Sequence, residues 1–184
     1  MMDNFREEVV VRRKNGLYNL LYMLSWAVLV LSVIMAMIAL QGFLMMVMSG
    51  SFDLINLAVL VVFGGLAFLI WRNKDQLRAE YEYTFTNGEL DVAKVLNNQK
   101  RKYLTCLNMK NVEAAGAVNT PAFQRYLSMK DVKKHNWFLN REAKLYYYFF
   151  TKNQVRHLMV VELSDEMVEL TKKPNYMNYG VWQG

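Results

Sequence analysis

The sequence predicts an α+β membrane protein in which a two-helix transmembrane hairpin precedes an antiparallel β-barrel of about seven strands with one C-terminal capping helix. Three observations lead to this prediction. Two long apolar runs, residues 17–48 and 54–71, contain no charged side chain. Residues 81–92 alternate apolar and polar side chains around a central Asn-Gly pair. Near the C-terminus, helix-capping residues flank a short segment with one apolar side.

The two apolar runs have the length of membrane-spanning helices. At 1.5 Å per residue, the run 17–48 would extend about 48 Å and the run 54–71 about 27 Å. A bilayer hydrocarbon core is about 30 Å thick, so both can cross it, the first with a tilt or with one end in the interface. A signal peptide is the competing interpretation of the first run. We disfavour it because the run is about twice as long as a signal core and no Ala-x-Ala site follows.

Basic side chains flank the outer ends of this hairpin, whereas the connection between the runs carries only Asp53. They are Arg12, Arg13, Lys14, Arg72, Lys74 and Arg78. Because positive charge stays on the cytoplasmic side, we expect a multi-pass plasma-membrane protein with both termini and the soluble domain in the cytoplasm. The single cysteine, Cys106, excludes an internal disulfide and suits a reducing compartment.

The soluble part begins with a strong hairpin signal. Asn87-Gly88 predicts a two-residue type I′ turn, because both positions need positive φ. The turn creates two apolar cross-strand pairs on one face: Phe85 with Leu90, and Tyr83 with Val92. Polar residues meet on the other face, so the aromatic face is expected to point to the core.

Further elements follow in this order: a turn at 97–100, a third strand at 101–107, a weaker fourth at 111–118, a short helix or loop from Thr120-Pro121, a fifth strand at 133–139, and strands at 145–150 and 155–163. The last two are apolar on both faces, which favours central positions in a sheet. Ser164 can cap a final helix that ends before Pro174. The tail after it holds three aromatic side chains and is expected to dock on the barrel.

This order of elements resembles a known architecture. Seven short strands and one helix over residues 81–173 resemble the pleckstrin-homology-like (PH-like) barrel. YEYTFTNGELDV followed by NNQKRK is the stretch most similar to uncharacterised bacterial two-span membrane proteins with a cytoplasmic PH-like domain. The resemblance implies a fold and a location but no activity, since those relatives have no known activity to transfer to this chain. PH-like domains often bind lipid headgroups or protein segments.

The chain divides accordingly into five parts: a cytoplasmic segment 1–16, the hairpin 17–71, a juxtamembrane linker 72–80, the PH-like domain 81–173 and an aromatic tail 174–184.

The sequence contains no recognisable catalytic or metal-binding motif. Gly-rich phosphate loops, GxSxG, HExxH and CxxC are all absent. The only histidines, His135 and His157, are unclustered in the sequence, and we interpret them as packed side chains rather than ligands. Methionines in the first apolar run could bind soft copper, but they are favoured as packing residues. We therefore predict no enzyme activity, no cofactor, no metal and no nucleic-acid partner.

A basic tract, residues 100–102, is the best-defined candidate site. It is predicted at the turn between the second and third strands, and it could hold the domain against anionic headgroups together with the cations that follow the second span. The predicted lipid-binding residues are Lys100, Arg101, Lys102, Arg72, Lys74 and Arg78. An ordinary charged turn is the alternative interpretation.

The predicted function is a membrane-anchored, non-catalytic interaction or scaffold module that binds a protein, a peptide or an anionic lipid headgroup. The alternative is a small transport or channel subunit that is regulated by its cytoplasmic domain. The two spans of one chain are too few to enclose a transport path through the membrane, so that alternative would require a homo-oligomer.

Overall fold

The computed structural model describes residues 4–183, and the chain forms two compact units. The helical unit is Lys14–Ala79, and the β unit joins the residues up to Arg13 with those from Glu80 onward. The fold is α+β, as predicted, with two long apolar helices before most of the strands.

The helical unit confirms both predicted helices. They are α1 (Asn15–Met48) and α2 (Leu54–Asn73), and a 3-10 turn, Lys74–Arg78, follows α2. Both helices are long and apolar enough to cross a membrane. Asp53 begins α2, since its carboxylate accepts hydrogen bonds from the N–H groups of Ile55 at 3.0 Å and Asn56 at 3.1 Å. These donors would otherwise lack a partner in the first helical turn.

The β unit contains two four-stranded sheets. The first has the order β1-β2-β3-β4, formed by Phe5–Val10, Ala79–Thr86, Glu89–Leu96 and Lys100–Asn108. The second has the order β5-β7-β8-β6, formed by Val112–Ala117 (β5), Tyr146–Lys152 (β7), Val155–Val161 (β8) and Val132–Trp137 (β6). Two short helices complete the unit: α3 (Pro121–Ser128) and α4 (Asp165–Thr171).

The two sheets are not joined into the closed barrel that the sequence predicted. The strand ladder stops after β4 because a 3-10 turn, Met109–Asn111, carries the chain into the second sheet. The all-antiparallel prediction is also wrong in one place, since β6 pairs with β8 in parallel. β7, which lies between β6 and β8 in the sequence, runs antiparallel to β8 and so reverses the chain direction before β8 begins.

A strand that the sequence did not predict lies before the helices. β1 pairs antiparallel with β2, from Phe5 opposite Thr86 to Val10 opposite Tyr81. The chain therefore leaves the first sheet, forms both helices of the helical unit, and returns to pair with the strand it had left.

The predicted β2–β3 hairpin is present. Asn87 and Gly88 have φ angles of 48° and 100°, which a type I′ turn requires. The four side chains assigned to the core face, Tyr83, Phe85, Leu90 and Val92, are each 0% exposed. A side chain at Gly88 would also meet the Tyr176 ring, which lies 2.7 Å from the position of an added Cβ.

The C-terminal elements close one side of the β unit. The Ser164 hydroxyl accepts a hydrogen bond from the N–H of Met167 at 3.1 Å, which confirms the predicted helix cap. The aromatic tail docks as expected. Trp182 forms an isolated β-bridge with Ala115 of β5, and the Gln183 N–H donates a hydrogen bond to the Ala115 carbonyl at 2.7 Å.

Candidate functional site

The predicted basic tract forms the exposed start of an edge strand. Lys100, Arg101 and Lys102 begin β4, and the preceding loop is one residue shorter than predicted. Asn97 and Asn98 adopt φ angles of 50° and 53°, which reverse the chain within few residues. All three basic side chains are exposed.

A fourth cation lies opposite this tract. Lys94 of β3 is the Cα partner of Lys102, and the sequence prediction did not include it. Lys94, Lys100, Arg101 and Lys102 are hereafter called the basic edge.

Two members of the basic edge, Lys94 and Lys102, are like charges that repel each other across the strand pair. Directly opposed like charges destabilise an antiparallel strand pair. Burial lowers the pKa of Lys94, and the neighbouring charges of Arg12 and Lys102 lower it further. Within the described residues no carboxylate forms an ion pair with Lys94 or Lys102. An anion bound here would relieve this repulsion.

Arg101 differs from the other members of the basic edge, because it is already paired. Its Nε lies 2.9 Å from the Glu82 carboxylate of β2, although the arginine side chain remains 61% exposed. Such a pair at the surface contributes little stability. Arg101 is therefore oriented by Glu82, and the unbalanced positive charge belongs chiefly to the lysines.

The basic edge lies at the end of the first sheet from which the chain continues to the helices. Val10, the last residue of β1, is opposite Tyr81 near the start of β2. The Lys94 ammonium lies 6.0 Å from the centre of the Tyr81 ring. Lys94 is thus close to the residues where the chain leaves and re-enters the β unit.

Asn140 fixes the segment that leads from β1 toward α1. Its side-chain amide donates to the Val11 carbonyl at 2.9 Å and accepts from the Arg13 N–H at 2.9 Å. The same amide donates to the buried Glu162 carboxylate at 2.9 Å. The connector of β1 is therefore held by side-chain hydrogen bonds beyond the end of the strand ladder.

The other three predicted lipid contacts belong to the helical unit. Arg72 is exposed in the last turn of α2. Lys74 is only 8% exposed, with its ammonium 3.0 Å from Asp75 and 4.6 Å from the centre of the Trp26 ring. Arg78 is exposed, and its guanidinium lies 4.0 Å from the Tyr22 ring centre. Their contact with lipid stays a prediction, and the Lys74 ammonium already has protein partners.

The two histidines, which the sequence interpretation kept apart, form a hydrogen-bonded pair. The parallel β6–β8 pairing brings His135 Nε2 to 2.9 Å from His157 Nδ1. Their ring planes differ by only 12° and their ring centres lie 5.2 Å apart, so the two nitrogens face each other nearly in line. This geometry suits a shared proton and does not converge on a metal ion. No local sequence signal could reveal the pair, because it depends on the pairing of two distant strands.

The described residues hold no cluster of three or more His, Cys, Asp or Glu side chains that could bind a metal ion. Burial and the neighbouring Asp91 raise the pKa of Cys106 to about 11, so its sulfur is a protonated thiol and a poor nucleophile at neutral pH.

A cavity of about 660 Å³ is lined by charged side chains of the β unit, among them three glutamates, and two of these have structural partners in the β unit. Glu8 accepts from the Ser164 N–H at 3.0 Å, and Glu162 accepts from the Asn140 N–H at 3.1 Å.

Comparison with protein families gives one match that spans most of the chain. The model of a family described as "Bacterial PH-like domain (DUF6106)" matches residues 2–179. The chain belongs to this bacterial PH-like family. Searches of curated proteins and of solved structures found no match. PH-like domains are generally non-catalytic interaction modules, and the family is uncharacterised.

For a PH-like family member, the basic edge is the described feature best suited to a binding role. Its three β4 members are exposed and Lys94 is half-buried, it combines four cations on two neighbouring strands, and its central lysine pair is electrostatically unsatisfied. The family match includes β1 and both helices as well as the two sheets.

Proposed function

We propose that this PH-like protein is a membrane-anchored, non-catalytic interaction module whose β unit lies at the cytoplasmic face and binds anionic lipid headgroups through the basic edge. Arg72 and Arg78, which are exposed beyond α2, would be secondary contacts on the same leaflet.

The surface of the helical unit supports the membrane anchor. The side chains buried within it are few and mostly small, including Ser32, Ala39 and Ala67, whereas most of the large apolar side chains of α1 and α2 are exposed. Small residues at a helix interface allow close approach in lipid, where exposed leucine and methionine side chains are favourable. The same surface in water would be a large apolar patch.

The β1–β2 pairing supports a topology with both ends of the hairpin on one side. β1 precedes α1 and β2 follows α2, yet the two strands form six Cα pairs. Strands that pair directly must lie in one compartment, so the chain between them has to cross the membrane an even number of times. The basic flanks, among them Arg13 and Arg72, then favour the cytoplasm for that compartment.

The lipid role rests on one observation, the opposed Lys94–Lys102 pair. A protein gains no stability from placing two lysines directly opposite each other, and nearby Arg12 adds to the positive potential. Each basic side chain near an anionic leaflet contributes about 1 kcal/mol of binding free energy. This attraction decays within a Debye length of about 10 Å at 0.1 M salt, so it acts only at close range.

The test uses the full-length protein in a zwitterionic detergent. Binding of soluble short-chain phosphatidylglycerol and phosphatidylcholine is measured by titration calorimetry at low and high salt. The variant Lys94→Ala/Lys102→Ala removes the opposed pair, and Lys110→Ala/Arg125→Ala is the control, because it removes two exposed charges elsewhere in the β unit.

We expect the wild type to bind phosphatidylglycerol more tightly than phosphatidylcholine and to lose this preference at high salt. Losing two contacts of about 1 kcal/mol each should weaken binding about thirtyfold in the first variant and little in the control. Equal affinity for the two lipids, or equal affinity of the two variants, would reject the lipid role and leave a protein or peptide as the partner.

A further inference from the structure

The His135–His157 pair lies where an edge strand joins its sheet. β6 is the last strand of the order β5-β7-β8-β6, so β8 is its only neighbour in the sheet. The histidine bond therefore adds a side-chain link to the main-chain pairing of these two strands. Each histidine also has an aromatic neighbour: Trp137 lies 4.7 Å from His135, and Phe150 lies 5.3 Å from His157, centre to centre.

The two facing nitrogens constrain the protonation of the pair. The bond between His135 Nε2 and His157 Nδ1 needs one N–H donor and one bare acceptor, so only one of these two atoms carries a proton.

This arrangement accepts one extra proton but not two. A first proton can add to the outer nitrogen of the donor ring, because that atom is not used in the pair. A second would have to add to the facing nitrogen of the acceptor ring, which would place two N–H donors face to face at 2.9 Å. Double protonation is therefore incompatible with the closed pair.

The surroundings disfavour even the first proton. Burial lowers the pKa of His135, and the charges of His157 and Lys133 lower it further. Burial also lowers the pKa of His157, with additional contributions from Lys133 on β6 and Lys152 at the end of β7. Both pKa values are thus below the ordinary 6.5, so an opened pair binds more protons than a closed one. The closed state is fully stabilised above that pH and loses stability as the pH falls below it.

We infer that His135 and His157 form an acid-sensitive latch that holds β6 in the second sheet. At neutral pH the shared N–H···N bond closes the latch, and acidification opens it and frees the edge strand.

The latch is connected to the segment that precedes α1. β6 continues through Trp137, whose carbonyl accepts a hydrogen bond from the buried Tyr83 hydroxyl. Three residues later Asn140 binds the main chain at Val11 and Arg13. Release of β6 would therefore loosen the hold on the connector of β1, which makes cytoplasmic acid a regulator of the β unit.

Hydrogen exchange of the full-length protein in detergent micelles tests the latch. Mass spectrometry follows the amides of residues 132–137 between pH 7.5 and 5.0, with exchange corrected for its intrinsic pH dependence. An opening that takes up one proton should become about tenfold more frequent for each pH unit below the ordinary histidine pKa. The amides of β7 are the internal control and should show a smaller change.

The double variant His135→Gln/His157→Gln should abolish the pH dependence of β6 exchange, since glutamine does not titrate. Nitrogen NMR of the wild-type imidazoles gives a second measurement that does not depend on a variant. It should show one proton shared between His135 Nε2 and His157 Nδ1, and two coupled titrations below pH 6.5. Two independent titrations at ordinary pKa values, or an unchanged β6 exchange rate at pH 5.0, would overturn the inference.

Discussion

Tyr83 of β2 and Trp137 of β6 join the two sheets, because the Tyr83 hydroxyl donates a hydrogen bond to the Trp137 carbonyl. The same hydroxyl accepts a bond from the Glu162 N–H at 3.4 Å, and Tyr83 is 0% exposed. Tyr83→Phe should lower the free energy of unfolding by about 1–3 kcal/mol, since the Trp137 carbonyl and the buried Glu162 N–H both lose a partner. Urea unfolding in detergent measures this. Tyr103→Phe is the control, because Tyr103 is 60% exposed, and an equal loss in both variants would contradict the prediction.

Lys102→Glu should stabilise the β unit while weakening its interaction with anionic lipid. The substitution turns the opposed Lys94–Lys102 pair into an attractive one, which is worth about 0.2–1 kcal/mol across a strand pair. Thermal unfolding in neutral detergent gives the stability. Lys134→Glu makes the same change of charge opposite Leu158 and should bring no gain. A Lys102→Glu protein no more stable than this control would show that the lysine repulsion is already relieved.

Ser164→Ala should destabilise the last helix. The Ser164 hydroxyl accepts from the Met167 N–H at the start of α4 and donates to the Glu8 carboxylate of β1. Loss of a serine cap costs about 0.5–2 kcal/mol, and the second partner favours the upper half of that range. The unfolding free energy can be compared with that of Ser128→Ala, which removes an exposed hydroxyl at the end of α3. If the two losses are similar, the cap does not stabilise α4.

Gly116→Ala should displace the C-terminal tail from β5. A Cβ at this position would lie 2.1 Å from the Gln183 carbonyl oxygen, which belongs to the main chain and cannot rotate away. Such overpacking costs about 1–3 kcal/mol. Limited proteolysis should cleave the tail faster in this variant than in the wild type. Gly64→Ala in α2 has open space around the new methyl group and should leave the rate unchanged. A tail equally protected in both variants would rule out this steric account.

Local signals in the sequence predicted the elements whose causes are local. The charge-free runs predicted α1 and α2, Asn87-Gly88 predicted the first hairpin, and Ser164 predicted the start of α4. β1 was missed because its short alternating pattern of side chains becomes a strand only by pairing with β2, which follows both helices in the sequence. The division into two sheets, in place of a closed barrel, could not be predicted either, since the number of strands does not determine which edges form hydrogen bonds.

The candidate site was predicted in part for the same reason. Lys100, Arg101 and Lys102 are adjacent in the chain, so their charge is visible in the sequence. Lys94 joins them only through the β3–β4 register, which depends on a three-residue loop where four residues had been predicted. The His135–His157 bond depends on the parallel pairing of β6 with β8, which are neighbours in the sheet but are separated by β7 in the sequence. No periodicity in the sequence indicates such a pairing.

The position of β1 has a consequence for biogenesis. The ribosome releases β1 before the two helices and β2 only after them, so the first sheet cannot be completed until both helices have been made. A nascent chain arrested with one span inserted would hold β1 and β2 in different compartments, with their main-chain groups unpaired. In the proposed membrane topology, correct insertion of the hairpin is thereby a precondition for folding of the β unit. Misinserted copies would display open strand edges to the proteases and chaperones of membrane quality control.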